Sequence, residues 1–532
     1  MKPIHLLSAG VLALAATSAA EGRRLSPVPA RPGDGCAALT GFALANGRIV
    51  SATPVDKGTT IDTEPGKPGL PAAASFCRVQ AVLTPVPGSS IKVEVWLPDP
   101  AAWNGKLLGA GNGGFGGSLM VPALTMRGGI ARGYAAVGTD MGHVGSSDLD
   151  GKWALNAPEK IRDFGRRANH LGAEAAKRLV AAYYPRPLAA SYFHGCSDGG
   201  REALMEAQRF PKDYDAIVAG APAIPWTRMT SAFAADARIA FARPEAVIPN
   251  AKLTLLQNAA LAQCDAKDGV ADGVIDDPRA CRFDPGVLLC KAGDGPGCLT
   301  APQVETARAL YRGVRTADGK PFYPGYMPGA EAVSGTWDLW LTGPNAQHGR
   351  FSTDFMRYMV HSDPSWDLTR FDLARDYALA QRLQGANLDA DNPDLRGFFG
   401  RGGKLLMYHG WQDAAIAPEN TIDYFTRVQR TNRAAGDSAR LFMMPGMSHC
   451  LAGPGPNVFD ALGTIDAWRQ GGAAPERIVA TKFDNDLFGY LGLPAKPVRT
   501  RPLCAYPKVA RWNGTGSTDD AANFICTAPG KP

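Results

Sequence analysis

The sequence predicts an α/β fold, in which helices cover both faces of a mainly parallel sheet and one large segment is inserted. Two patterns predict it: short apolar runs that end in glycine-rich or polar loops, and intervening stretches such as 166–184 and 198–210 whose apolar residues recur three and four positions apart. The strand-like runs are GKLLGAGNGG (105–114), GYAAVGTDMGH (133–143), SYFHGCSDGG (191–200), YDAIVAGAPA (214–223), GKLLMYHGWQD (403–413) and ARLFMMPGMSH (439–449). Such alternation indicates a doubly wound sheet.

The N-terminal residues predict export. Residues 1–20 have a basic start, an apolar middle and a small-residue end, which is typical of a secretory signal peptide. A membrane anchor is the alternative, but no apolar run reaches the ~18 residues that a spanning helix needs. Residues 21–35 are rich in Pro, Gly and Arg and predict an extended leader. We therefore expect a secreted or periplasmic protein.

Composition excludes several kinds of partner. The 532 residues are 45% hydrophobic and 20% charged, which is enough to bury a large core. The net charge of +6 is spread over 56 basic and 50 acidic residues without a basic tract. We therefore expect neither nucleic acid nor a membrane surface as a partner. A small-molecule substrate is expected, and the oligomeric state is not predicted.

The pattern of strands and helices lapses in the middle of the chain. Between residues 223 and 400, Pro and Gly are frequent, four cysteines occur and a tryptophan-rich stretch, SGTWDLWLTG, appears. This predicts a lid domain at 223–400, inserted into a catalytic core formed by 36–222 and 401–532.

The residues GCSDG suggest a nucleophile at Ser197. In the α/β-hydrolase arrangement a serine lies on a sharp turn from strand to helix, and an acidic residue and then a histidine follow later strands. Asp413 follows KLLMYHG, and His449 follows RLFMMPG, so both come in the required order. A cap or a structural turn is the ordinary role of each residue singly. Together they predict a Ser-His-Asp triad for acyl transfer.

An oxyanion hole requires two backbone donors. One would be the N–H of Asp198, which follows the nucleophile. The other would come from the glycine-rich loop GAGNGGFGGS (109–118), where we select Gly114; a flexible surface loop is the alternative. Two other histidines compete as the base. His409 lies upstream of Asp413, and His194 lies within the strand of the nucleophile, where packing is expected.

The even number of cysteines, ten, indicates disulfides in an oxidising compartment, although sequence alone does not determine their pairing. The absence of C-x-x-C and the scarcity of histidine argue against a zinc or redox site. Cys196 beside the serine could itself be a second nucleophile, a metal ligand, a core residue or half of a disulfide. Because Cys450 follows His449, contact between serine and histidine would also bring these two cysteines together.

The combination of Cys196-Ser197, Asp413 and His449-Cys450 resembles the CS-D-HC pattern of the tannase and feruloyl esterase family. The resemblance runs from about residue 36 to the C-terminus, with close segments at GCSDGGREALMEAQRFPKDYDAIVAGAP, RGGKLLMYHGWQDAA, RLFMMPGMSHC and RTRPLCAYP. It implies a serine carboxylesterase with a large lid that hydrolyses feruloyl (hydroxycinnamoyl) or galloyl esters. It also implies disulfides that join Cys36 to Cys77, Cys196 to Cys450, Cys264 to Cys281, Cys290 to Cys298 and Cys504 to Cys526.

A further motif, CDAKDGVADGVIDDPRAC, lies in the predicted lid at 264–281. From the residues alone, a solvated acidic turn and a cation site are equally plausible, because carboxylates and carbonyls form an oxygen-only set suited to Ca²⁺. The family resemblance implies a structural calcium site there, and no organic cofactor is expected. Its ligands would be Asp265, Asp268, Val270, Asp272 and Val274.

Substrate contacts are expected mainly from the segment 336–358. The candidates are Trp340, Phe351 and Ser352, with Ile416 added from the core. The alternative substrate is a monoester of the mono(2-hydroxyethyl) terephthalate type, whose carboxylate requires a cation; Arg350 and Arg357 are the candidates. A non-catalytic binding module and a metal-dependent hydrolase are the alternatives of other classes.

Overall fold

The computed structural model describes residues 35–63, 69–241, 243–343 and 346–529. The predicted signal peptide, 1–20, lies outside the described residues, as does the predicted leader, 21–35, apart from its last residue. Among the described residues, no helix is long and apolar enough to cross a membrane.

A nine-stranded sheet organises the chain, and its six C-terminal strands coincide with the six predicted strand runs. Its spatial order is β1-β2-β3-β5-β4-β6-β7-β8-β9. Strands β1 to β3 pair antiparallel, as do β3 and β5, and every pairing from β5 across to β9 is parallel. The strands are β1 (Gly47–Val55), β2 (Phe76–Leu83), β3 (Ile91–Pro98), β4 (Lys106–Ala110), β5 (Ala135–Thr139), β6 (Ala190–Cys196), β7 (Ala216–Gly220), β8 (Lys404–Gly410) and β9 (Ala439–Met444).

Helices cover both faces of the sheet because successive strand residues point to opposite sides. On one face, Tyr192 of β6 belongs to an apolar cluster with the helix Ala461–Arg469. On the other face, Phe193 packs in a cluster with the helices Asp198–Arg209 and Pro418–Thr431. The α/β prediction is thereby confirmed. The remaining α-helices of the described residues are Met120–Ile130, Pro158–Arg162, Ala168–Tyr183, Trp226–Phe241, Asn250–Cys264, Ala301–Arg312, Trp337–Trp340, Gln347–Asp354, Leu373–Ala380, Ala386–Leu388, Arg396–Phe399 and Asp486–Tyr490.

The inserted segment occupies the connection between β7 and β8. Its described residues form many of the helices and one small hairpin, Val314–Arg315 with Pro321–Tyr323. Its aromatic residues pack against the sheet layer; the ring of Phe351 stacks on that of Phe115 with centroids 4.0 Å apart and an interplanar angle of 1°. Such stacking contributes about 0.5–1.5 kcal/mol beyond area burial. The insertion therefore shares one apolar cluster with the sheet.

All ten cysteines are paired as the resemblance implied. The bonds join Cys36 to Cys77, Cys196 to Cys450, Cys264 to Cys281, Cys290 to Cys298 and Cys504 to Cys526. After β9 the chain forms two antiparallel hairpins rather than further strands of the main sheet, Arg477–Phe483 with Pro497–Cys504 and Val509–Trp512 with Phe524–Thr527.

Candidate active site

The nucleophile candidate, Ser197, lies between β6 and the helix Asp198–Arg209 in a backbone conformation that few non-glycine residues adopt, with φ 64° and ψ −123°. The flanking glycines make this turn sterically feasible. A Cβ on Gly195 would lie 2.3 Å from the carbonyl oxygen of Gly199, and a Cβ on Gly200 would lie 2.3 Å from that of Gly220. The strained turn projects the hydroxyl of Ser197 above the carboxyl edge of the sheet.

The three predicted catalytic residues form one hydrogen-bonded chain. His449 Nε2 lies 2.9 Å from Ser197 Oγ, and His449 Nδ1 lies 2.8 Å from Asp413 Oδ2. In this arrangement Nδ1 donates to the carboxylate, which leaves Nε2 free to accept the serine proton. The loops after β6, β8 and β9 therefore meet at one point, although 252 positions separate the serine from the histidine.

Asp413 is held as a carboxylate by its surroundings. Its Oδ1 accepts hydrogen bonds from the backbone N–H groups of Ala415 and Ile416, at 2.8 and 2.9 Å. His409 Nε2 lies 3.1 Å from Oδ2. Although burial alone would raise the pKa of Asp413, the charge of His449 and the hydrogen bonds from both histidines hold this pKa well below its ordinary value. His409 thus contacts the acid of the chain rather than Ser197.

A disulfide fastens the serine turn to the histidine loop. Cys196 and Cys450 are bonded with their Cα atoms 6.0 Å apart. Cys450 has a φ of 64°, equal to that of Ser197, so one strained residue forms an end of the link and another is adjacent to its other end. The thiol beside the serine is therefore neither a second nucleophile nor a metal ligand.

The predicted oxyanion donors, Asp198 and Gly114, have backbone N–H groups without an acceptor among the described residues. Asp198 is the first residue of its helix, so its N–H has no acceptor within that helix. Gly114 N–H has no acceptor among the described residues, whereas the neighbouring amides of its loop donate hydrogen bonds. The N–H of Gly111 donates to His194, that of Asn112 to Glu202, that of Gly113 to the Asn112 side chain and that of Phe115 to Asp148. Gly114 has φ 56°, and a Cβ there would lie 2.3 Å from the Asp148 carbonyl oxygen.

A cavity of about 420 Å³ contains Ser197 and His449 and is lined mainly by apolar side chains. Of the predicted substrate contacts, Trp340, Phe351 and Ile416 line it, and the Trp340 ring meets the His449 ring edge-on at 5.3 Å. Ser352 does not line it, because its buried hydroxyl donates to the His348 carbonyl oxygen at 2.6 Å. Sequence reasoning missed several lining residues from separate segments: Trp226, Met229, Phe233, Leu339, Tyr408, Leu487 and Tyr490.

The described residues that line the cavity include no Lys or Arg, and its histidines are His449 and His194. Its second histidine, His194, is neutral because burial lowers its pKa to about 4. Arg350 and Arg357 line a separate groove of about 780 Å³, which borders the cavity at Leu149. Neither arginine therefore lines the cavity in which it was predicted to bind the carboxylate of a terephthalate monoester.

The acidic loop at 264–281 directs its side chains largely to its own backbone. Asp265 accepts from Gly273 N–H at 2.9 Å, and Asp268 accepts from Val270 N–H at 2.9 Å. Asp272 is paired with Arg499 and Arg501, and Val274 donates its N–H to Asp272 at 3.2 Å. Among the described residues, no three acidic, histidine or cysteine side chains are grouped as metal ligands.

Negative charge is nevertheless in excess within this loop. Burial raises the pKa of Asp268 to about 6, and repulsion from Asp272 and Asp265 adds to the shift. Burial and repulsion from Asp268 raise the pKa of Asp276, which the prediction did not include, to about 8. The oxygen-only chemistry of these donors therefore fits a hard cation such as Ca²⁺. Their present spacing does not form a complete ligand set.

Comparison with known proteins places this site in a family. The family model described as tannase and feruloyl esterase matches residues 77–527. An uncharacterized esterase of Xanthomonas campestris pv. campestris is 40% identical over 560 aligned positions, which cover 97% of this chain and 95% of the relative. Mono(2-hydroxyethyl) terephthalate hydrolase of Piscinibacter sakaiensis is 34% identical, with 93% and 92% covered.

Solved structures agree with these relatives. The crystal structure of feruloyl esterase B from Aspergillus oryzae superimposes with a TM-score of 0.82 at 30% sequence identity, covering 92% of this chain and 99% of that chain. The resemblance that the CS-D-HC residues indicated is thus confirmed over most of the sequence. This chain belongs to the tannase and feruloyl esterase family and is a carboxylic ester hydrolase.

Proposed function

We propose that this enzyme hydrolyses esters of aromatic carboxylic acids, of the hydroxycinnamoyl or galloyl class, through a Ser197-His449-Asp413 triad. The observation that carries the proposal is the hydrogen-bonded chain from Ser197 through His449 to Asp413, which opens into a cavity with aromatic walls. A non-catalytic binding module is disfavoured, because such a module has no need of an intact chain of this geometry.

The first half of the reaction forms an acyl-enzyme. Ser197 Oγ attacks the ester carbonyl carbon while its proton passes to His449 Nε2. The N–H groups of Asp198 and Gly114 stabilise the oxyanion. The bond to the alcohol oxygen then breaks, and the alcohol takes the proton from Nε2. Asp413 stabilises the imidazolium between these two proton transfers.

The second half returns the free enzyme. A water molecule gives a proton to His449 Nε2 as its oxygen attacks the acyl carbon, and Ser197 Oγ regains that proton as the acid departs. Because Asp413 accepts two backbone N–H bonds, its carboxylate is oriented before substrate binds. His449 therefore requires little reorganisation in either half-reaction.

The charge of the cavity favours a neutral acyl group. A terephthalate monoester carries a carboxylate into a space whose described lining includes Asp148 and no Lys or Arg. An unpaired buried carboxylate is costly, whereas a phenol or methoxy group is not. Neutral hydroxycinnamoyl or galloyl esters are accordingly preferred over mono(2-hydroxyethyl) terephthalate, the alternative substrate.

Three further predictions complete the proposal. The core adopts the α/β-hydrolase arrangement, and the insertion at 223–400 acts as its lid, contributing Trp340 and Phe351 to the acyl site. The protein functions in a secreted or periplasmic location, which the five disulfides support. A structural Ca²⁺ is held by the loop that contains Asp265, Asp268, Val270, Asp272 and Val274.

A small substrate panel tests the proposal. Purified enzyme would be assayed with methyl ferulate, methyl gallate, mono(2-hydroxyethyl) terephthalate and p-nitrophenyl acetate, with Ser197→Ala as the matched control. We expect the two neutral aromatic esters to have the highest kcat/KM after correction for leaving-group reactivity. Near-normal turnover by Ser197→Ala would overturn the triad. Higher kcat/KM for the terephthalate monoester would overturn the assignment of a neutral acyl group.

A further inference from the structure

Large apolar side chains are exposed at the mouth of the catalytic cavity. Leu339, Leu487 and Tyr490 line the cavity and are 38%, 47% and 40% exposed, whereas the inner lining residues Trp226 and Ile416 are at most 2% exposed. Leu339 belongs to the inserted segment, and the other two belong to the C-terminal helix Asp486–Tyr490. Separate segments therefore provide an apolar rim, a feature that in soluble proteins often marks a binding surface.

The position of this apolar rim determines what it contacts. The proposed function puts the aromatic acyl group in the buried inner part of the cavity, in which case the alcohol part of the ester extends from the carbonyl carbon at Ser197 towards solvent. The alcohol therefore meets Leu339, Leu487 and Tyr490. None of these three side chains is charged, and two cannot form hydrogen bonds, so the rim offers few partners to the hydroxyl groups of a sugar.

We propose that the apolar rim is a leaving-group subsite that selects esters of apolar alcohols, alkyl or aryl, over esters of carbohydrates. This inference rests on the proposed function for the direction in which the acyl group enters. A half-exposed rim removes about half of each alcohol methylene from water. Each added methylene should therefore raise kcat/KM about twofold, compared with about fourfold for complete burial.

The test compares alcohols at a constant acyl group. Methyl, butyl and benzyl ferulates would be assayed with wild type, Leu487→Ser and the control Phe488→Ser, which changes a neighbouring side chain that is 43% exposed but does not line the cavity. We expect kcat/KM to rise with alcohol size, mainly through KM. Leu487→Ser should reduce the ratio of kcat/KM between the largest and the smallest alcohol at least twofold, and Phe488→Ser should leave this ratio unchanged.

Two results would overturn this inference. One is an equal response of the alcohol series to Leu487→Ser and Phe488→Ser. The other is the same dependence of kcat/KM on alcohol size in all variants, together with a change in the oligomeric state of Leu487→Ser measured by sedimentation. That result would identify the rim as a contact between two copies of the chain. Repeating the series with acetate esters separates the two proposals, because it reports on the rim even if aromatic acids are not preferred.

A second observation concerns two acids buried behind the oxyanion donors. Asp198 and Glu202 lie one turn apart on the same helix and are 1% and 2% exposed. If both were ionised, Asp198 Oδ2 and Glu202 Oε1 would each be buried without a donor. A single proton between them satisfies both atoms. Arg201 Nε lies 2.5 Å from Asp198 Oδ1, and no cation lies as close to Glu202 among the described residues, so Glu202 is the member that carries the proton.

The other oxygen of Glu202 reaches the loop that presents Gly114. Glu202 Oε2 accepts from Asn112 N–H at 3.0 Å and from Asn169 Nδ2 at 2.8 Å. Asn112 lies two residues before Gly114, and Asp198 itself provides the other oxyanion N–H. One protonated side chain therefore connects the segments that carry both donors.

We infer that Glu202 is a positioning residue, which holds the two oxyanion donors in register through its proton to Asp198 and its acceptor bond to Asn112. Burial and the charge of Asp198 raise the pKa of Glu202 well above its ordinary value, so the proton is present at neutral pH. The charge of Arg201 and the hydrogen bond from Asn169 act in the opposite direction and lower the pKa of Glu202. Glu202 in turn raises the pKa values of Glu206 and Tyr214.

A pH profile tests this role. We expect wild-type kcat to fall at alkaline pH as the pair loses its proton, with KM little changed. Glu202→Gln, which retains one donor and one acceptor, should keep neutral-pH kcat within about threefold and lose the alkaline fall. Glu202→Ala should lower kcat at least tenfold. Glu206→Gln is the matched control, because Glu206 is also a buried acid of this helix but pairs with Asp213.

Two results would contradict the role of Glu202. One is a wild-type alkaline profile that Glu202→Gln leaves unchanged, and the other is the same change of profile in Glu206→Gln. If Glu202→Ala does not fold, the comparison of Glu202→Gln with Glu206→Gln is sufficient, because a purely structural role would change the melting temperature without shifting the pH profile of kcat.

Discussion

Removal of the disulfide between Cys196 and Cys450 should cost both stability and catalysis. The double variant Cys196→Ser/Cys450→Ser opens a loop of 254 positions, which the chain-entropy model values at about 5.5 kcal/mol of unfolding free energy. Catalysis should fall because the bond joins the residue before Ser197 to the residue after His449, and these two residues must stay in register. Since a misplacement of about 1 Å at a reacting group can cost about 10²-fold, we expect kcat to fall by about that factor.

The matched control is Cys504→Ser/Cys526→Ser, which opens a loop of 22 positions that joins the two C-terminal hairpins. The same model gives about 3.4 kcal/mol for this change. Chemical denaturation and steady-state kinetics with one aromatic ester should therefore show both variants destabilised and only the first catalytically impaired. A Cys196→Ser/Cys450→Ser enzyme that keeps kcat within twofold would refute the view that this bond holds serine and histidine in register.

Three further outcomes are expected. Asp413→Asn should lower kcat by about 10³-fold or more, and His409→Ala by less, because Asp413 is the only one of the three triad residues that His409 contacts; equal losses measured in one assay would contradict this ranking. Excess chelator should lower the melting temperature, because removing Ca²⁺ that was present at 100 times its Kd lowers the free energy of unfolding by about 2.7 kcal/mol. An unchanged melting temperature, with no metal found by elemental analysis, would disprove the calcium site. Trp340→Ala should narrow the preference for aromatic over acetyl esters by about two- to tenfold, read as a ratio of kcat/KM values; an unchanged ratio would remove Trp340 from acyl selection.

The predictability of the strands depended on their burial pattern. The six parallel-type strands were recognisable because burial on both faces makes them continuous apolar runs, such as Ala216–Gly220, which is buried throughout. The antiparallel strands β1 to β3 were missed. In β1, Gly47–Val55, only two of nine residues are buried, so its sequence lacks a continuous apolar run. An edge strand of this kind is specified by its partner more than by its own composition.

The triad candidates were recognisable because the mechanism requires chain order and turn chemistry. Glycines around Ser197 and short loops after β8 and β9 are local features, so the sequence displays them. Glu202 was missed for the opposite reason. On its helix it reads as an ordinary polar residue, and only the approach of the loop at Asn112, 90 positions away, assigns it a contact.

Substrate contacts were the least predictable part of the site, and the pair Phe351 and Ser352 shows the physical reason. Consecutive residues of a helix point about 100° apart, so one faces the cavity while the next turns away. Which of the two faces the cavity depends on the rotation of the helix Gln347–Asp354, and stacking of Phe351 on Phe115 determines that rotation across 236 positions. The chemistry of the reaction could therefore be predicted from local patterns, whereas specificity depends on how separate segments pack around Ser197. The same argument applies to Leu487, whose position beside the cavity depends on the docking of a helix that follows the last strand of the sheet.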